Sequence, residues 1–171
     1  MVRPAVAADA QFLAEMLAVA AQWRPDTAPG PIAEVLADPA IGHYVLGWPR
    51  PGDVGLIAEV DDGPVGAAWS RYFSADDPGY GFVAADVPEI SIGVVAGARR
   101  RGIGRRLLLD LLEEIRRLGV ARVSLSVEID NPAMGFYTDA GFVEVARADG
   151  AATMVLDTTV PPDADRSAPV S

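Results

Sequence analysis

The fold is decided by residues 92–119, which read IGVVAGARRRGIGRRLLLDLLEEIRRLG. The apolar run 92–95 predicts a strand. After Gly104, leucines and an isoleucine recur at three- and four-residue spacing, which predicts an amphipathic helix. Gly119 is typical of the left-handed residue that ends a helix. The stretch therefore predicts a strand, a glycine-bearing turn and a helix in direct succession.

The turn between this strand and this helix carries an unusual charge. It holds five of the chain's fourteen basic residues: Arg99, Arg100, Arg101, Arg105 and Arg106. The first turn of a helix has unpaired N–H groups and the positive end of the dipole, so arginines there indicate that an anion binds. Gly102 and Gly104 leave room for a ligand to reach the backbone. The spacing is neither that of a P-loop, which needs a lysine, nor that of a dinucleotide fingerprint, which needs a third glycine.

Composition limits the fold and the chemistry. With 171 residues, 50% of them hydrophobic, the chain predicts one domain with a substantial core. It has no cysteine, which excludes disulfides, thiolate metal sites and cysteine nucleophiles. His43 is the only histidine, which argues against a Ser-His-Asp triad and a histidine-rich metal site. We therefore expect no metal.

Charge limits the partners. A net charge of −10 argues against nucleic acid or an anionic membrane as the main partner, because both require a broad basic field. A positive island on an acidic chain suits a small polyanion. The sequence has no apolar run long enough to span a bilayer and no secretory signal pattern, so we expect a cytoplasmic protein. Every basic residue is an arginine, which favours a GC-rich bacterial source.

The remaining elements follow from hydrophobic periodicity and turn residues. Strands are predicted over residues 1–6, 53–60, 64–73, 89–95, 122–128, 142–146 and 152–156, and helices over 9–23, 32–36, 103–118 and 132–140. Residues 61–63 and 149–150 predict hairpin turns, and 38–48 fit either a helical turn or an extended cover over the sheet. The order predicts an α+β fold: a mostly antiparallel twisted sheet of six to seven strands with helices on both faces.

A second motif begins at Asn131 and reads NPAMGFYTDAGF. Asn131 has the side chain of a helix N-cap, and Pro132 suits the first helical position. Tyr137 fits a core position, and Gly141 fits a helix end. Taken alone, each residue has such a structural explanation. Because they follow the arginine-bearing turn in the chain, the same residues also favour a functional interpretation.

The two motifs together resemble the GNAT (GCN5-related N-acetyltransferase) superfamily. Arg99-x-x-Gly102-x-Gly104 looks like the acyl-CoA pyrophosphate loop, and Asn131-x-Ala133-x-x-x-Tyr137 looks like the second motif of that superfamily. The resemblance implies a single GNAT domain over residues 1–157. The prolines and small polar residues of 158–171 predict a disordered tail. Residues 96–98 depart from the family pattern, which often has a proline and an acidic or aromatic residue there.

The resemblance implies direct transfer of an acetyl group from acetyl-CoA to a primary amine, in a ternary complex. The acceptor would be a small molecule or a protein N-terminus. In this family two strands splay apart around the pantetheine arm, and here they would be 89–95 and 122–128. Tyr137 is the candidate general acid, and Glu89 the candidate base, acting through water. The implied acetyl-CoA contacts are Val94, Val95, Arg99, Arg100, Arg101, Gly102, Ile103, Gly104, Arg105, Asn131, Ala133 and Tyr137.

The acceptor pocket is predicted from acidic and aromatic residues on neighbouring segments. They are Trp23, Glu59, Trp69, Tyr72, Tyr80, Phe82 and Glu128, with Asp76, Asp77 and Asp86 in the long loop 74–88. Two alternatives stay open at this point. One is a non-catalytic sensor of acyl-CoA or another phosphorylated ligand, and the other is an arginine patch that contacts RNA. A homodimer is compatible with the resemblance, and the sequence does not identify the acceptor.

Overall fold

The computed structural model describes residues 1–24, 30–61 and 63–160. Its regular elements are seven strands and five helices. In chain order they are β1 (Val2–Pro4), α1 (Ala10–Ala21), α2 (Ile32–Ala37), α3 (Pro39–Gly42), β2 (Val54–Val60), β3 (Gly63–Arg71), β4 (Glu89–Val94), α4 (Ile103–Arg117), β5 (Arg122–Glu128), α5 (Ala133–Asp139), β6 (Val143–Ala148) and β7 (Ala151–Asp157). None of these helices is both long enough and apolar enough to cross a bilayer.

All seven strands form one sheet in the order β1-β2-β3-β4-β5-β7-β6. Every neighbouring pair is antiparallel except β4 and β5, which are parallel. The sheet is thus two antiparallel halves that meet at one parallel junction. The prediction of a mostly antiparallel sheet of six to seven strands with helices on both faces is confirmed.

Helices cover the two faces of the sheet because the strands alternate their side chains. The apolar stripe of α4, including Leu107, Leu111 and Ile115, is fully buried against one face. On the other face Leu13 of α1 packs with Tyr44 and Trp69. We call these the α4 face and the α1 face. On β4, Ile90, Ile92 and Val94 belong to the α4 face. Glu89 and every second residue after it therefore belong to the α1 face.

Several boundaries differ from the predictions. Helix α1 ends at Ala21, two residues before Trp23. In the ambiguous stretch 38–48 the helical alternative is correct: Asp38 accepts a hydrogen bond from Ala40 N at 2.9 Å, and Pro39 opens α3.

The hairpin predicted at 61–63 includes residue 62, which lies outside the described residues. Residues 158–160 of the predicted tail are among the described residues. Thr158 is buried, and its N–H donates to Ala121 O at 2.9 Å, while residues 161–171 lie outside the described part of the chain.

Candidate active site

Strands β4 and β5 pair at one position and then separate. Glu89 and Ser124 are the one register pair of these strands in the described residues, and Ser124 N donates to Pro88 O at 3.0 Å. A continuous parallel ladder would carry evenly spaced bonds along both strands. Here the strands part beyond that pair, and we call the resulting gap between β4 and β5 the opening. A sheet interrupted in this way leaves backbone groups on each side for a ligand to bind.

Val94, the last residue of β4, and Val95, which follows it, direct their backbone groups to opposite sides. Val95 N donates to Val65 O of β3 at 2.9 Å, so this amide is already engaged away from the opening. Because backbone groups alternate along a strand, those of Val94 point toward the opening. Arg99 Nε donates to Val94 O at 3.1 Å and folds over it. Of the two predicted contacts, Val94 is the one whose backbone groups face the opening.

The turn that follows β4 contains two residues in the left-handed conformation. Arg100 and Gly102 are both left-handed, with φ of 59° and 78°, and α4 begins at the next residue. A Cβ added at Gly104 would meet Val94 Cγ2 at 3.7 Å and nothing closer, so the space over the first helical turn is open. Residues 99–106, which we call the arginine turn, hold five exposed arginines. Only Arg106 forms an ion pair within the described residues, with Asp110 at 2.7 Å.

Glu89 lies at the base of the opening and is 3% exposed. Its Oε1 accepts hydrogen bonds from Tyr44 Oη at 2.6 Å and from Gly81 N at 2.9 Å. Burial raises the pKa of Glu89 to about 7, and these two donors offset part of that rise. A carboxyl with this pKa changes its protonation state near neutral pH.

Two buried side-chain oxygens, on paired residues of β4 and β5, lack a partner within the described residues. They are Glu89 Oε2 and Ser124 Oγ. The two residues are register partners, and Ser124 alternates with Val123 and Leu125 of the α4 face, so both side chains lie on the α1 face. Buried polar atoms without partners are rare in proteins and indicate a bound water or substrate group.

Two glycines allow the loop after β3 to pack closely against Glu89 and β5. A Cβ at Gly79 would come within 2.2 Å of Glu89 Oε2, and one at Gly81 would meet Leu125 C of β5 at 2.5 Å. Neither position tolerates a side chain without displacing its neighbour. Residues 79–82 therefore lie across β5 at the point where it leaves β4, with the ring of Tyr80 64% exposed.

The second motif is placed on α5, beside β5. Asn131 Oδ1 accepts a hydrogen bond from Ala133 N at 2.9 Å, which stabilises the start of the helix. Tyr137 packs at 5.0 Å from Phe136 and 5.9 Å from Phe142, measured between ring centroids. Its hydroxyl makes no hydrogen bond to the described residues, and burial raises its pKa to about 12. Tyr137 is therefore protonated at any physiological pH.

Four of the residues predicted for the acceptor pocket lie near the opening. Tyr80 and Phe82 belong to the loop that touches Glu89. Glu128 ends β5 at the far end of the opening and pairs with Arg24 at 2.5 Å. Arg24 also lies 5.1 Å above the ring of Trp23, and its pair with Glu128 links the segment after α1 to the end of β5.

The structure places the other three elsewhere. Glu59 accepts a hydrogen bond from Arg3 at 2.8 Å at the β1 edge of the sheet. Trp69 is 0% exposed, and its Nε1 donates to Tyr44 O at 3.0 Å, so it is a core residue that no acceptor can reach. Tyr72 alternates to the α4 face and lines a cavity with Ile115. Of the acids in the long loop, Asp77 binds His43 Nδ1 at 2.7 Å instead of facing the opening.

Two features that shape the site were not predicted from the sequence. Tyr44 lies in the stretch with no clear periodicity, and its contact with Glu89 joins residues 45 positions apart. Arg71 is 1% exposed and makes two hydrogen bonds to Asp53, of 3.1 and 2.6 Å, and two to the carbonyls of His43 and Leu46. A signal for Arg71 was available: it alternates with buried Trp69, so its strand position predicts an inward side chain that needs a partner.

Comparison with known families identifies the fold. Residues 18–142 match the model of the acetyltransferase (GNAT) family. The chain belongs to this family. The predicted resemblance is confirmed, and the GNAT chain is an acyltransferase by class.

Solved structures share the fold. A ribosomal-protein-alanine N-acetyltransferase from Brucella melitensis is 24% identical, with a TM-score of 0.66 and coverage of 92% of this chain and 99% of its own. A phosphinothricin acetyltransferase from Sinorhizobium meliloti, in complex with acetyl-CoA, is 22% identical, with a TM-score of 0.66 and coverage of 96% and 94%. YncA from Salmonella typhimurium, solved with its cofactor acetyl-CoA, is 21% identical, with a TM-score of 0.67 and coverage of 100% and 98%. No curated protein sequence matches this GNAT chain.

Proposed function

We propose that this GNAT chain transfers the acetyl group of acetyl-CoA to a primary amine by direct attack, with Glu89 as the base. The observation that carries the proposal is the buried carboxyl of Glu89 at the base of the opening, with one oxygen that has no partner within the described residues. Its pKa of about 7 suits a group that accepts and releases protons at neutral pH. Most buried side-chain oxygens in proteins are paired, so an unpaired one on a carboxylate supports a role beyond structure.

Acetyl-CoA supplies the acetyl group as a thioester, and this chain has residues that fit it. The space above Gly104 and the left-handed backbone at Gly102 suit a pyrophosphate over the first turn of α4. The exposed arginines of the arginine turn match its negative charge. The backbone of Val94 faces the opening, where a pantetheine arm would lie. Ile103, Asn131 and Ala133 complete the proposed set on either side.

Glu89 and Tyr137 have pKa values that suit opposite roles. The amine must lose a proton as its nitrogen attacks the thioester carbon, and Glu89, ionised above about pH 7, takes that proton directly or through one water. The carbon–sulfur bond breaks, and Tyr137 gives its proton to the sulfur. With a pKa of about 12, Tyr137 stays protonated at neutral pH and offers its hydroxyl hydrogen to the sulfur as negative charge develops there. Exchange with solvent restores both groups.

The proposed acceptor is a primary amine of a small molecule or of a protein N-terminus. Glu128 and Glu89 bring carboxylates to the α1 face of the opening, and the exposed ring of Tyr80 offers a surface for a cation or an apolar group. The names of two structural relatives are in keeping with this, since one acetylates an alanine of a ribosomal protein and the other phosphinothricin.

A screen of amines with acetyl-CoA tests the proposal. Release of free coenzyme A is measured for polyamines, amino acids, amino sugars and peptides with free N-termini, and the product is identified by mass spectrometry. We expect turnover with at least one primary amine and much slower turnover by Glu89→Gln. Tight binding of acetyl-CoA without turnover of any amine would instead support the acyl-CoA sensor.

A further inference from the structure

We infer that Tyr44 is a positioning residue of this site, which holds Glu89 by one carboxylate oxygen and leaves the other to receive the proton. The inference rests on the proposed function in one respect, namely that Glu89 is the base. It also assigns a purpose to the loop residues 79–82, since Tyr44 binds their backbone as well.

The hydrogen bonds around Tyr44 fix which way its proton points. Tyr80 N lies 2.7 Å from Tyr44 Oη, and a backbone N–H can only donate, so the hydroxyl oxygen is the acceptor there. The single hydroxyl hydrogen is then directed to Glu89 Oε1, at 2.6 Å. The chain Tyr80 N–H to Tyr44 O–H to Glu89 therefore runs in one direction only.

This direction makes the two oxygens of Glu89 different. Oε1 receives hydrogen bonds from Tyr44 Oη and from Gly81 N, and these favour negative charge on that oxygen. Oε2 is buried and receives none from the described residues. A proton that reaches the carboxylate therefore settles on Oε2, where it meets no competing donor.

Tyr44 is itself held rigidly. Its carbonyl accepts from Trp69 Nε1 at 3.0 Å, and its ring lies 4.8 Å from Phe73 and nearly parallel to Tyr80 at 6.4 Å between centroids. Burial, followed by the charge of Glu89, raises the pKa of Tyr44, so the hydroxyl stays protonated and remains a donor. A rigid donor can hold a carboxylate in one orientation through a reaction.

The other charged groups near Glu89 are committed elsewhere. Arg71 is its register partner on β3, but its guanidinium binds Asp53 and two backbone carbonyls. His43, which packs on the ring of Tyr44, has its Nδ1 bound to Asp77 on the loop. On the β5 side Ser124 carries no charge. Tyr44 is thus the one titratable side chain among the described residues that bonds directly to Glu89.

The test compares Tyr44→Phe with the wild type by two independent measurements. The first is the pKa of Glu89 itself, read by NMR from the carboxyl carbon of ¹³C-labelled glutamate and assigned with Glu89→Gln. Loss of a hydrogen bond to the charged form should raise this pKa by about one unit. The second is the pH dependence of kcat/KM, where the acidic limb should move to higher pH by the same amount, with KM for acetyl-CoA little changed. Tyr72→Phe makes the same chemical change on the opposite face and should leave the pKa of Glu89 unaltered.

Each outcome separates the inference from the proposed function. An unchanged Glu89 pKa in folded Tyr44→Phe overturns the role of Tyr44, whatever the base is. A shifted Glu89 pKa with an unmoved rate profile supports the contact but removes Glu89 as the base. If Tyr44→Phe does not fold, the hydroxyl proton of Tyr44 in the wild type serves instead. The chemical shift of this proton should change with pH as Glu89 titrates. A chemical shift that does not change over that pH range overturns the inference.

Discussion

Gly104 offers the sharpest test of where acetyl-CoA binds, because the protein without a ligand has room for a larger residue there. In Gly104→Ala the new Cβ would contact Val94 Cγ2 at 3.7 Å, an ordinary van der Waals distance. Folding should therefore be unaffected, or slightly improved by the higher helix propensity of alanine.

A bound pyrophosphate would meet that Cβ directly. Losing one charge-assisted hydrogen bond costs about 1.5–3 kcal/mol, and 1.4 kcal/mol corresponds to a tenfold change in Kd, so acetyl-CoA should bind about 10- to 100-fold more weakly. Gly104→Asp adds a negative charge at the same point and should weaken binding further.

Titration calorimetry with acetyl-CoA measures the effect, and thermal unfolding checks the fold. Gly135→Ala is the matched control, since that glycine is exposed on α5, has nothing within 4 Å of an added Cβ, and lies on the opposite side of its helix from Ala133 and Tyr137. If both Gly104 variants are folded and bind acetyl-CoA as tightly as the wild type does, acetyl-CoA does not occupy the arginine turn.

Two further predictions concern the ion pair below the site and the proposed acid. Asp53→Asn leaves the guanidinium of Arg71 buried without its carboxylate, so the free energy of unfolding in urea should fall by about 3–5 kcal/mol. The control Glu114→Gln, in an exposed ion pair, should change it by less than about 0.5 kcal/mol. A loss below about 1 kcal/mol for Asp53→Asn would show that the buried pair is not needed for stability. Tyr137→Phe removes the proposed acid, so kcat should drop about a hundredfold with KM for acetyl-CoA little changed, and a variant with wild-type kcat would make Tyr137 a packing residue.

The arginine turn and the second motif were predictable because each is local. Glycines at fixed offsets, a strand followed directly by a helix, and an asparagine at a helix start leave their signal within a few neighbouring residues. The bounds of β5 were predicted without error for the same reason, since Val123, Leu125 and Val127 alternate with polar residues.

The acceptor side was less predictable because it depends on which face each residue takes. Glu59 on β2, Trp69 on β3 and Tyr72 just after β3 do not lie at the opening, because Glu59 pairs with Arg3, Trp69 is buried and Tyr72 alternates to the α4 face. The environment of Glu89 depends on Tyr44 and Gly81, which reach it from separate loops. A carboxylate at the start of a strand is usually solvated, and only the packing of those loops makes this one buried.

The most direct test of the account is the pH dependence of kcat/KM for the best amine acceptor in wild type and Glu89→Gln. An acceptor with a weakly basic amine keeps its own ionisation away from the range of interest. Because burial raises the pKa of Glu89 to about 7 and the base works only when ionised, the wild-type rate should fall as the pH drops through that value. In Glu89→Gln the rate should be much lower and this limb should be lost. An acidic limb that is identical in the two proteins would contradict the assignment of Glu89 as the base, and with it the proposed mechanism of transfer.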